Sequence, residues 1–360
     1  MASIVVLGGG FGGITAALEL RAALGDAHRI TLVERKADFM MGLRKLWILV
    51  GAGTRAEGSR DLAALRNFGI DVRRSAIEAI DLKARTAAGI AYDYLVVALG
   101  AEPRPDLVKG WSDAAHNLYD VDDVERLASR PLAGRIAVVI CGVPYKCPPA
   151  PYEAAMLLAD RWPGSRVSVY SPQPMSLPVA GKAACVSLEA ELAKRRIPFT
   201  PGCKLVALDG PTAVFENGRA EADVLVAVPP HRPPAPLEDW MRVDPATMRT
   251  PHERVWAVGD CVELKTANGL PFPKAGILAE GQARVAAAAV AAEILGRPAP
   301  APFDGRGYCF VETGGGLASM VVGEFLAQPA PKVELAPPSA EGLERKRAFE
   351  RERLAAWFGA

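Results

Sequence analysis

Apolar runs at residues 3–7, 30–33, 94–99, 135–140, 166–170, 223–228 and 254–258 alternate with segments of helical periodicity. The runs are rich in β-branched residues and end in glycine or an acidic residue, which predicts parallel strands joined by crossover helices. Two such units stand in tandem. One opens at Ser3 and is followed by the strand Ile30-Thr31-Leu32-Val33; the other opens at Arg135 and is followed by Arg166-Val167-Ser168-Val169-Tyr170. Proline-rich joints at Pro103 to Pro105 and Pro229 to Pro236 mark passages between domains. The expected fold is therefore α/β, with two tandem Rossmann-like dinucleotide-binding domains and a C-terminal region ending in a helix. Residues 1–104 and 245–297 form the first domain, 105–244 the second, and 298–360 the terminal region. That region carries Pro298, Pro300 and Pro302, a glycine-rich stretch and a charged helix from about Glu341 to Phe358.

Bulk composition narrows the function classes. With 360 residues, half of them apolar, the chain can fill several cores, and a formal net charge of +1 offers no basic face for nucleic acid. A first strand at Ser3 leaves no room for a secretory leader, so a cytoplasmic location is expected. The alanine-rich segment between Arg284 and Glu293 is too short to span a bilayer. The six cysteines are irregularly spaced, and none forms a C-x-x-C zinc pair, so no metal site is expected.

Candidate chemistry begins at Gly8-Gly9-Gly10-Phe11-Gly12-Gly13, which contains Gly8-x-Gly10-x-x-Gly13 between a strand and a helix. Glycines so spaced allow a tight turn and bring backbone N–H groups against a pyrophosphate at a helix N-terminus. Glu34 ends the next strand, about 20 residues on, where a carboxylate accepts from ribose hydroxyls. In the second unit the corresponding segment, Cys141 to Glu153, keeps Gly142 but places Pro144, Pro148, Pro149 and Pro151 where glycines are needed. Proline has no N–H to offer a phosphate, which argues against a nicotinamide dinucleotide there.

Several segments carry a family resemblance. Tyr94 to Gly100 and Val255 through Gly259-Asp260 resemble elements of the flavoproteins with two dinucleotide-binding domains. Lys146-Cys147-Pro148-Pro149-Ala150-Pro151-Tyr152-Glu153, Pro273-Lys274-Ala275-Gly276 and Gly307-Tyr308-Cys309-Phe310 resemble the hallmark segments of sulfide:quinone oxidoreductases and the flavin subunit of flavocytochrome c sulfide dehydrogenase. The resemblance implies FAD, held by Gly8, Gly10, Gly13, Glu34, Gly100, Gly259, Asp260, Lys274, Ala275 and Gly276, with the helix after Gly276 directed at the flavin. It implies Cys147 and Cys309 as a redox pair, Cys147 carrying the persulfide and Cys309 the flavin-side thiol. Glu153 is implied in proton transfer, although a carboxylate stabilising its helix start is an equal reading of the same position. The donor would be sulfide or a small persulfide or thiol, and the acceptor a quinone.

The chain also departs from that pattern. No cysteine lies between Ala101 and Ile140, which favours two redox sulfurs unless Cys141 substitutes for a third. The segment Phe39 to Trp47 offers Met40 and Met41 but no cysteine, so FAD is expected to be non-covalent. Cys185, Cys203 and Cys261 read as structural, and His231 as a turn residue or a proton carrier. Two other functions keep the fold: an NAD(P)H-dependent quinone or disulfide reductase, and a non-catalytic flavin redox sensor. In the terminal helix Leu354, Trp357 and Phe358 can share a face, with Arg345, Lys346, Arg347, Arg351 and Arg353 adding charge while Leu343 and Phe349 fit that face poorly. Such a helix suits peripheral contact with the inner face of an anionic membrane, or packing on the protein's own core or on a second subunit of a homo-oligomer.

Overall fold

The computed structural model describes residues 1–359. In the first half the elements used below are β1 Ser3–Leu7, α1 Phe11–Leu24, β2 Arg29–Glu34, α2 Arg44–Leu49, β3 Asp71–Arg74, β4 Tyr94–Val97, β5 Ala115–Asn117 and α3 Val121–Ala128. The second half continues with β6 Arg135–Ile140, α4 Ala150–Arg161, β7 Arg166–Tyr170, α5 Gly181–Lys194, β8 Phe199–Thr200, β9 Val224–Val228, β10 Val255–Ala257 and α6 Gly276–Leu295. β11 Arg306–Gly314, β12 Leu317–Glu324, β13 Lys332–Leu335 and α7 Ala340–Phe358 complete the chain.

Two five-stranded parallel sheets result, in spatial order β10-β4-β1-β2-β3 and β5-β9-β6-β7-β8. Every residue of β4 and of β9 is buried, the pattern of strands covered on both faces. The first sheet closes with β10, which returns beside β4 after the whole second sheet has formed. In open sheets of this kind ligands collect beyond the carboxyl ends of the strands. Gly8, Glu34, Gly100 and Gly259 all lie at that edge, at or just past the ends of β1, β2, β4 and β10.

The terminal region is more ordered than its composition suggests. β11, β12 and β13 form an antiparallel meander, turned at Gly314, Gly315 and Gly316, all at positive φ. The glycine-rich stretch is thus a hairpin, and it presents Cys309 from the middle of β11. α4 and α6 both pack against β11, so this strand lies where the two larger units meet.

The structure resolves the alternatives for α7 and corrects its face. Leu354, Trp357 and Phe358 are buried, with Trp357 edge-on to Phe11 and Phe39 at centroid distances of 5.1 and 5.4 Å. Leu343 and Phe349 are buried with them, and Lys346 is turned inward. The apolar side of this helix is therefore spent on the protein's own core, and the contact with membrane expected through Leu354, Trp357 and Phe358 is not made by that face. No helix among the described residues is long and apolar enough to cross a membrane.

Candidate active site

The turn from β1 into α1 is shaped by two close approaches. A Cβ on Gly8, at φ +101°, would come within 2.3 Å of the Ala98 carbonyl oxygen, and one on Gly13 within 1.8 Å of the Gly8 oxygen. Neither position admits a side chain. At Gly10 a Cβ would meet nothing within 4 Å, and no side chain caps α1, so the positive end of this helix faces open space. Glu34 accepts from the Gly9 amide at 2.7 Å and the Lys36 amide at 3.0 Å, which fixes its carboxylate beside the turn with acceptor capacity to spare. These residues suit a dinucleotide: anion-seeking amides, space above them and a carboxylate for ribose.

At the other end of the crevice, Gly259, Asp260, Lys274 and Ala275 line a narrow cleft with Gln282, whose side-chain oxygen accepts from the Gly259 amide at 2.6 Å. Burial raises the Asp260 carboxyl, opposed by the charges of Lys274 and Lys146. Lys274 donates to the carbonyls of Asp260 at 2.6 Å and Val262 at 3.2 Å and stacks over Trp240 at 3.8 Å. Ala275 is the extended residue before α6, and Gly276 is its first; a Cβ there would strike the Phe11 ring at 2.9 Å.

The proline-rich segment after β6 reaches the residues of this cleft. Pro144 accepts from the His231 amide at 2.8 Å, and a Cβ on Gly142 would touch Pro230 at 3.1 Å, so the segment packs closely against residues 229–231. The Cys147 amide donates to the Lys274 carbonyl at 2.7 Å, tying the cysteine to the first domain. Cys147 sits at φ +48°, a left-handed conformation uncommon for a side-chain-bearing residue and frequent at functional positions. Its carbonyl accepts from the Ala150 amide and from the Tyr119 hydroxyl at 3.3 Å.

Cys147 is exposed and Cys309 is half-buried; both are free thiols here. Crowding by protein pushes the Cys147 thiol up to about 12, with the Glu153 charge adding to the shift and Lys346 and Lys45 opposing it. Burial raises Cys309 also, and the next causes are the charges of Cys147 and Glu153. The two sulfurs and Glu153 therefore share one electrostatic environment. Cys141 stands outside it. Its thiol is pushed up to about 12 by burial, eased by a backbone hydrogen bond, and donates to the Val139 carbonyl at 3.6 Å. Cys185, Cys203 and Cys261 are buried in the cores, as expected of structural residues.

Three charged neighbours carry no local sequence signal. Lys346 of α7 ion-pairs with both Glu153 and Glu312, the latter at 2.9 Å, and Glu312 also accepts from the Trp47 indole at 2.7 Å. Lys45, one residue past the start of α2, is lowered to about 7 by burial and by the charges of Lys146 and Lys36. Nothing local marks them, because each acquires its meaning from a partner distant in the chain. His231 is fully buried, with Nδ1 3.0 Å from the Pro229 carbonyl and its ring edge-on to Tyr119 at 4.9 Å. Burial, helped by the charge of Lys146, lowers it to about 3, so it is neutral at physiological pH, which argues against the proton-carrier role; nor is it a turn residue, since His231 and Arg232 form a short strand paired antiparallel with Glu102 and Pro103.

Two tandem parallel-sheet units, the first with a glycine turn and a ribose-ready carboxylate and the second with a cysteine-bearing prolyl loop, define an oxidoreductase of the two-dinucleotide-fold class. The chain belongs to the pyridine nucleotide-disulphide oxidoreductase family, whose profile matches residues 2–292. It is similar to the mitochondrial sulfide:quinone oxidoreductase of Dictyostelium discoideum, at 25% identity over 89% of this chain and 77% of that one. It is also similar, at 27% identity, to the type II NADH:quinone oxidoreductase NdhA of Mycobacterium tuberculosis, over 59% of this chain and 44% of that one. Among solved structures, the sulfide:quinone oxidoreductase of Aquifex aeolicus superposes with a TM-score of 0.85 over 99% of this chain and 92% of that one, at 20% identity, which establishes the shared fold. The protein is a flavin-dependent enzyme of this fold.

Proposed function

We propose that the protein oxidises sulfide, or a small persulfide or thiol, through a Cys147–Cys309 pair and passes the electrons through non-covalently bound FAD to a quinone. The observation that carries this reading is the placement of Cys147. Its loop takes the position of the second dinucleotide fingerprint, is bonded to Lys274 beside Asp260, and puts its thiol in the same field as Cys309.

In the oxidised pair, hydrosulfide attacks the Cys147 sulfur, the S–S bond breaks, and Cys309 leaves as a thiolate holding the electron pair. Sulfide sulfur becomes the outer atom of a Cys147 persulfide, and its proton must go to a nearby base. A second sulfide or a thiol would attack the outer sulfur and carry it off as a polysulfide or persulfide, leaving both cysteines as thiolates, and bound flavin would supply the two-electron acceptor that returns them to the disulfide, with quinone as the final oxidant. Gly8, Gly10 and Gly13 would receive its pyrophosphate, Glu34 its ribose and Asp260 its ribityl chain, while Gly100, Gly259 and the segment Lys274-Ala275-Gly276 would border the ring. The uncapped start of α6 would stabilise negative charge growing there.

Anaerobic stopped-flow mixing tests the reading. Sulfide should bleach the flavin absorbance within a turnover, decylubiquinone should restore it, and NADH should leave it unchanged. Reduction by NADH but not by sulfide would replace this function with that of a nicotinamide-dependent reductase. A flavin reduced by neither, with no turnover, would favour the sensor.

The FAD assignment is tested separately. Acid precipitation should release intact FAD into the supernatant, and Asp260→Ala should lower flavin occupancy at purification. Yellow colour retained in the pellet would overturn non-covalent binding.

A further inference from the structure

Lys346, Glu153 and Glu312 are 1%, 2% and 8% exposed, so two carboxylates share one ammonium in a nearly dry site. Three separate elements supply them: α7, α4 and β11. A net negative charge so deeply placed is costly unless one carboxyl binds a proton. Glu312 already has two donors, the Trp47 indole and Lys346, whereas Lys346 is the side-chain partner of Glu153. Glu153 is the member left to take up a proton. Burial raises it from an ordinary 4.5 to about 6, with Glu312 adding to the rise and Lys346 opposing it.

The cluster has two ends. On one side Glu153 occupies the first turn of α4, the helix that Cys147 precedes, and its charge raises both redox thiols. On the other, Glu312 lines a surface cavity of about 240 Å³ with Arg44, Trp47, Arg347, Glu350 and Arg351. Arg44 is held there by Glu57 and Glu350, and Arg351 by Glu344. A buried ionisable bridge thus joins the sulfur site to solvent on the side of α7.

We propose that Glu153, Lys346 and Glu312 form a proton relay that carries the proton of the incoming sulfur nucleophile from the Cys147–Cys309 pair into the cavity bounded by Arg44 and Arg347. The proposal rests on the sulfur-oxidising function proposed above. The proton leaving the Cys147 persulfide passes to Glu153. Glu153 then returns it to Lys346 as Lys346 gives one of its own to Glu312, and Glu312 releases that proton to solvent in the cavity. The ammonium ends as it began, both carboxylates are restored, and no other reactant is consumed. Charged groups facing the cluster are Lys45 and Arg44 from α2, Arg347, Glu350 and Arg351 from α7, and the two thiols from the Cys147 loop and β11.

The test is the pH dependence of flavin reduction by sulfide in the holoenzyme, read beside infrared titration of the protein's carboxyl band, which needs no substrate. Wild type should show a rate limb rising through about pH 6, because Glu153 must be ionised to accept the proton. Two variants should move that limb in opposite directions. Glu312→Gln removes a negative neighbour and should shift it to lower pH, while Lys346→Met removes the positive one and should shift it to higher pH, each by about one unit or more. Proton release into weak buffer, followed with an indicator dye, should lag flavin reduction in Glu312→Gln and keep pace with it in wild type. Glu312→Gln, which keeps its neighbours' hydrogen bonds, decides the matter if Lys346→Met does not fold.

Limbs unmoved in both variants, or prompt proton release in Glu312→Gln, overturn the relay. Opposite infrared shifts in a protein that sulfide fails to reduce support the coupled cluster while refuting the sulfide-oxidising function.

Discussion

Serine in place of either Cys147 or Cys309 should lower sulfide-dependent quinone reduction by about a thousandfold or more, and the double variant should be scarcely worse than either single one. Two sulfurs that act through one disulfide are a single catalytic unit, so losing half of it costs nearly the whole. A Cys147→Ser enzyme cannot carry a persulfide, and a Cys309→Ser enzyme has no sulfur to hold the electron pair. Cys185→Ser and Cys203→Ser should retain near-wild-type rates, since both thiols are buried in cores away from the cleft. Steady-state quinone reduction, with flavin reduction measured in parallel, gives the result; full activity in Cys309→Ser would refute the pair. Cys141→Ser is the control for a third sulfur. Its thiol bonds to its own strand and shares no charge interaction with the pair, so little loss is expected.

Lys346→Met should destabilise the fold by about 3–5 kcal/mol at neutral pH, the usual cost of stripping the partner from buried charge. Two carboxylates would then face each other with Trp47 and Arg44 as their remaining polar neighbours. The sign of the pH dependence follows from Glu153, whose folded value of about 6 lies above its ordinary 4.5. A carboxyl raised in the folded state contributes stability that is complete below the unfolded value and lost as pH rises through the folded one. Without Lys346 the folded value rises further, so the penalty grows between about pH 5 and pH 8 and shrinks on acidification. Urea unfolding at both ends of that window measures it. An equal loss at acid and neutral pH would indicate lost packing, not lost charge.

Much of the architecture is legible from local pattern. The strands at 3–7, 135–140 and 166–170 are read directly, because a buried parallel strand is an unbroken β-branched run with a glycine or an acidic residue after it. The glycine turn and Glu34 are legible for a related reason: their spacing encodes a local turn, and the structure completes it with a Gly9–Glu34 hydrogen bond. The meander at 306–335 leaves a weaker local pattern. Its strands are interrupted by Gly307, Gly314 and Gly323, which look like loop residues until their close neighbours are known; a Cβ at Gly307, for instance, would lie 2.5 Å from Leu278.

The chain alone therefore determined where the main strands of the two parallel sheets lie, that the first unit has the glycine turn and carboxylate of a dinucleotide cradle, and that a prolyl, cysteine-bearing loop stands at the equivalent place in the second. Those features depend on backbone freedom, missing N–H groups and hydrophobic period, all of which are set within a few residues. Only the tertiary structure decided which way α7 faces. By helical pattern Lys346 belonged to a solvated basic surface; in the fold it is buried between Glu153 and Glu312, residues 193 and 34 positions away. A charged side chain reads as exposed unless its partners are known, and electrostatic pairing over such separations is set by how sheets and helices pack. The same holds for Cys147 and Cys309, which come within reach of one another's charge because the prolyl loop is bonded to Lys274 while β11 packs against both α4 and α6.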